Sequence, residues 1–64
     1  MIATKIKELC KQRGLSVAEV EKAAGIGNGV IRRWDEKSPT FNKLKPVADV
    51  LGVTVDELTR EEGG

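Results

Sequence analysis

The sequence predicts an all-α domain, and three observations carry that expectation. Apolar residues recur at helical spacing in successive short segments. Glycines mark the connections between those segments. No segment alternates apolar and polar residues as a half-buried strand would. A chain of 64 residues has the size of one domain and buries only about 60% of the surface that its unfolded form exposes. Short helices with tight connections suit so small a core, and five can be placed.

The first helix covers residues 2–13, where Ile2, Ile6, Leu9 and Cys10 share one face and lysines fill the other. Gly14 stops it. Ser16 and Glu19 in "SVAE" then form a capping box, opening a second helix from Val17 to Ala24 with Val20, Ala23 and Ala24 as its inner positions. Gly25 ends that helix. A third helix begins at Gly27 or Asn28 and ends at Glu36, before the connection "KSPT", whose Ser38-Pro39 pair biases the chain away from helix. The fourth covers Phe41 to Leu51. Pro46 lies inside it, so its regular part is expected to begin only near Lys43 or Leu44. "TVDE" is a second capping box, Thr54 with Glu57, and opens a short fifth helix to Thr59. The domain therefore spans residues 1–59, and residues 60–64 read as a flexible tail.

Composition removes several functional classes. One cysteine allows no intrachain disulfide, and the absence of histidine removes a Cys/His zinc site and the base that would activate Cys10. Cys10 thus reads as a small core residue, and the compartment expected is reducing and cytoplasmic. No run approaches the roughly 18 apolar residues needed to span a membrane, and "MIATKIKELCKQRG" has no apolar stretch of the signal-peptide kind. No acid–base constellation, metal set, cofactor motif or small-molecule site is evident, so an enzyme is not expected. The net charge is only +1, but residues 1–37 carry eight basic and five acidic side chains and residues 38–64 carry three and five. The positive half contains the most informative stretch, "GIGNGVIRRW".

Three glycines fall within five residues there. A phosphate-binding loop would need a preceding strand and a different glycine spacing. An Asn-Gly hairpin would need alternating flanks, and "AAGI" and "VIRRW" are helical in pattern. What remains is the corner of a helix–turn–helix: Gly25 supplies a positive φ, Ile26 anchors the turn and Gly27 caps the next helix. At about 100° per residue, Val30, Ile31 and Trp34 fall on one side of the third helix. Asn28, Gly29, Arg32, Arg33 and Glu36 fall on the other. Arginine can bind guanine O6/N7 and asparagine can bind adenine N6/N7, so the outer stripe suits base edges in a major groove. A solvated helix face is the bland alternative for the arginines. Gly29 reads either as tolerated helix weakness or as a place of close backbone approach. Trp34 reads as core rather than as a stacking platform, since Phe41 is the only other aromatic residue.

From Leu9 to Leu58 the sequence resembles the Cro/C1-type helix–turn–helix family, which includes phage repressors. The resemblance is carried by "GLS" after the first helix, the "AAGI" corner, the pair Ile31 and Trp34, "SP" after the third helix, and "VADVLGVTVDEL". It implies a five-helix lambda-repressor-like DNA-binding domain with helices 2 and 3 as the DNA-binding pair. It also implies a homodimer on a palindromic double-stranded operator, and a transcriptional regulator acting as a repressor. Carried over by position, Asn28, Gly29, Arg32 and Arg33 would approach base edges. Ser16, Val17, Gly27, Lys37, Asn42 and Lys43 would lie at phosphates. The chain departs from the family pattern in several places. Val17 stands where a phosphate-binding glutamine is common. Glu21 replaces a small residue and is expected to turn outward or to find Arg32 or Lys22. Cys10 replaces an arginine that pairs with the acid at Asp35, whose partner is then open. Glu36 on the outer stripe would repel phosphate unless it points away or binds a cytosine N4. The alternative function is a protein-interaction module, such as an antitoxin, that uses the same fold and its acidic C-terminal half.

Overall fold

The computed structural model describes residues 2–60. Four α-helices and one 3-10 helix stand where the sequence predicts five α-helices: α1 (Ile2–Gln12), α2 (Val17–Ala24), the 3-10 helix (Ile31–Asp35), α3 (Phe41–Leu51) and α4 (Val55–Thr59). Local signals in the sequence explain the boundaries. Ser16 Oγ accepts from the Glu19 N–H and the Glu19 carboxylate accepts from the Ser16 N–H, each at 3.1 Å, which completes the capping box of α2. At α4 the cap is one-sided, with Thr54 Oγ1 accepting from the Glu57 N–H at 3.1 Å. Gly25, at φ 74°, lets the chain turn back at the end of α2. The Ile26 N–H then reaches the Glu21 carbonyl at 3.0 Å and the Gly25 N–H reaches that of Lys22 at 3.2 Å.

Helix α3 runs unbroken from Phe41 through Pro46, rather than starting late as expected. The bond that Pro46 cannot make would have used the carbonyl of Asn42, an exposed residue in the first turn of the helix. The core draws on every helix: Ile6 and Cys10 from α1, Val20 from α2, Ile31 and Trp34 from the 3-10 helix, Val47 and Leu51 from α3, and Leu58 from α4. Burial raises the Cys10 thiol above its ordinary pKa, so it stays protonated and serves as packing. Ala3 is buried although it is not among the expected inner residues, whereas Ala23, expected inside, is exposed. The inner face of α2 is instead Val17, Val20, Glu21 and Ala24, all buried or half-buried.

Helix α2 packs on α3, and α1 packs on the 3-10 helix and on α4. Asp35, the last residue of the 3-10 helix, has its partner at the start of α1. Its carboxylate accepts the Ala3 N–H at 3.0 Å and the Thr4 hydroxyl at 3.2 Å, an anion at the positive end of a helix. Arg60, expected in the tail, donates its N–H to the Asp56 carbonyl and its guanidinium to the Asp56 carboxylate at 2.8 Å. Residues 61–64 of the expected tail lie outside the described residues.

Candidate nucleic-acid interface

The second element of the helix–turn–helix is shorter and tighter than the sequence predicts. Residues 27–30 are a turn, closed by the Val30 N–H on the Gly27 carbonyl at 3.3 Å. Gly29 occupies its third position at φ 82°, the sign that a type II turn demands. Asn28 and Gly29 therefore precede the helix instead of riding on its face. A Cβ at Gly29 would meet only Arg32 Nε, at 3.9 Å, so conformation rather than space requires the glycine. Gly29→Ala is expected to cost about 1–2 kcal/mol, read as a lower denaturation midpoint. An unchanged midpoint would mean that the turn relaxes freely.

What holds the turn is Glu21. Its side chain is 3% exposed, neither turned outward nor paired with Arg32 or Lys22. Its Oε1 accepts the Gly29 N–H and its Oε2 the Ile31 N–H, each at 3.0 Å. Gly27 has no side chain to cap the following helix, and a carboxylate from α2 takes that role. A buried carboxylate is tolerable when each oxygen accepts a backbone N–H at a helix start.

A 3-10 helix advances about 120° per residue, so side chains three apart eclipse. Ile31 and Trp34 form the buried edge. Arg32 shares an edge with Asp35, and Arg33 shares one with Glu36. All four are exposed. The single outer stripe expected for an α-helix is thus opened into two flanks. Arg32 lies beside Gly29. Arg33 lines a groove of about 370 Å³ with Lys37, Ser38, Thr40 and Lys43, which gathers three cations between the 3-10 helix and the start of α3. Trp34, 6% exposed, belongs to the core.

The remaining candidates divide by accessibility. Asn28, Gly27 and Asn42 are exposed, and Gly29 is half-buried with its N–H already bonded. Ser16 is exposed, but its hydroxyl and its N–H both serve the capping box. The Val17 side chain packs against the core. Helix geometry leaves the Val17 N–H without an intrahelical acceptor. Among the described residues no group of three metal-ligating side chains assembles, and no helix is long and apolar enough to cross a membrane.

Two helices joined by a short corner, the second presenting arginines outward over a buried Ile/Trp edge, define a helix–turn–helix. Residues 6–58 match the family described as Helix-turn-helix, and the chain belongs to it, in its Cro/C1 type. This is a family of transcriptional regulators and not of enzymes. Among curated proteins, the chain is similar to the SPbeta prophage-derived uncharacterized HTH-type transcriptional regulator YopO of Bacillus subtilis (strain 168). The two are 36% identical over an alignment 67 positions long, covering 98% of this chain and 93% of that protein. No solved structure gives a significant match.

Proposed function

We propose that the chain is a repressor that binds double-stranded DNA sequence-specifically as a homodimer, with the Asn28–Arg33 stretch in the major groove. The observation that carries this reading is the contrast within one short element: Ile31 and Trp34 are buried while Arg32 and Arg33 between them are exposed. Asn28, Arg32 and Arg33 then meet base edges, where asparagine and arginine have matching donors and acceptors, and the Gly29 backbone passes close to them. Lys37 and Lys43, with Asn42 and the main chain at Val17 and Gly27 beside the capped Ser16, hold the phosphates that set the register. Repression follows from occupancy of the operator. The likeness to a prophage-derived regulator agrees with that role.

Selection of bound duplexes from a random pool tests the reading. The expected result is a palindrome with half-sites about 34 Å apart, one DNA turn. A pool with no enriched motif would overturn it in favour of a protein partner. The phosphate-binding lysines have their own signature. Replacing Lys37 and Lys43 together by alanine should weaken all duplexes alike. It should also flatten the dependence of log affinity on log salt by about 0.9 for each phosphate that is no longer neutralised. An unchanged slope would remove these lysines from the interface.

A further inference from the structure

We infer that Glu21 is a positioning residue for sequence readout: without touching DNA, its carboxylate fixes the Asn28–Gly29 peptide, which aims Asn28, and the Val30–Ile31 peptide, which sets the start of the 3-10 helix that carries Arg32. The inference rests on the DNA-binding reading and adds to it a residue from the interior of α2. The two N–H groups that Glu21 holds belong to Gly29 and Ile31. Asn28 comes immediately before the first and Arg32 immediately after the second. The carboxylate thus clamps the backbone on the inner side of both exposed side chains. Its two oxygens are each used once, its burial is nearly complete, and it sits on a full turn of α2 ending in a closed cap. A turn that contains two glycines within three residues is otherwise among the most permissive backbones available. The clamp therefore supplies the rigidity that the turn's own residues cannot.

Glu21→Gln separates aim from attraction. Its amide oxygen can accept one of the two N–H groups, but its NH₂ is a donor facing the other. The expected result is a fall of about tenfold or more in the ratio of operator to scrambled-duplex affinity, the worth of one well-aimed bidentate contact. Affinity for the scrambled duplex should be unchanged or higher, since an acidic charge has gone. Equal losses on both duplexes, or a ratio kept within about twofold, would overturn the role. If this variant melts below the assay temperature, Glu21→Asp replaces it. That side chain keeps the charge but is one methylene short, and the same fall or constancy of the ratio decides. Amide hydrogen exchange on the native chain reads the clamp without DNA. Gly29 and Ile31 should exchange more slowly than Asn28, and fast exchange at both would overturn the inference. A native chain that selects no motif and shows no salt-dependent duplex affinity would sink the DNA reading and the readout role with it. The two amides would still report whether the clamp exists, so the two failures are distinguishable.

Discussion

Trp34→Ala is expected to leave the domain largely unfolded at 37 °C. Removing a buried tryptophan costs about 3–5 kcal/mol, and a chain of this length has a total stability of about 3–10 kcal/mol. The melting temperature should fall by roughly 12–40 °C. Trp34 is 6% exposed and belongs to the core cluster to which every helix contributes, so its removal leaves a cavity there. Phe41 provides the control. It is 62% exposed, and Phe41→Ala should change stability by no more than about 0.5 kcal/mol. Circular dichroism melts of the two variants would settle the matter. Similar melting points would contradict the burial of Trp34.

Arg33→Ala is expected to cost about 1–3 kcal/mol of operator affinity and to relax specificity at one base position. Titration against operator and scrambled duplexes reads it. A larger loss on the operator means that Arg33 touches a base edge. An equal loss on both would move it to the phosphates, beside Lys37 and Lys43 in the groove that they share. The variant should fold normally, because the side chain is exposed and its neighbours Ile31 and Trp34 hold the element in place.

Most of the fold is legible in the sequence because its signals are local. Ser16 and Glu19 lie three residues apart, and their bonding needs no tertiary partner. The glycine after α2 announces its own φ. Ile31 and Trp34 are three apart, and that spacing buries them together in an α-helix or a 3-10 helix alike. The departures at Glu21 and Asp35 share one cause, which is that the deciding partner is distant in sequence. Glu21, where the family has a small residue, is expected to turn outward or to find Arg32 or Lys22, yet its oxygens serve N–H groups eight and ten residues further on. Two signals are present: Glu21 lies on the same face of α2 as Val17, Val20 and Ala24, and the glycine at the next helix start has no capping side chain. Asp35 finds α1 across more than 30 residues, a pairing that no periodicity shows. The third helix reads at the α-helical period, and the turn at Gly29 instead delays its start to Ile31. That shift changes the site from one stripe into two flanks while keeping Arg32 and Arg33 exposed.

Asp35 and Glu21 together have a consequence for how such a protein changes over generations. The segment from Gly29 to Asp35 is tied at its front to α2 by the Glu21 carboxylate on two main-chain N–H groups, and at its back to α1 by the Asp35 carboxylate on the Ala3 N–H and the Thr4 hydroxyl. Main-chain groups are the same whatever side chain a residue carries. Asn28, Arg32 and Arg33 take no part in either tie, so mutation can exchange them while the mounting stays intact. The scaffold thereby separates what must be inherited unchanged from what is free to vary. A lineage of such regulators could acquire new operators by substituting a few exposed letters, with no need to reinvent the frame that presents them.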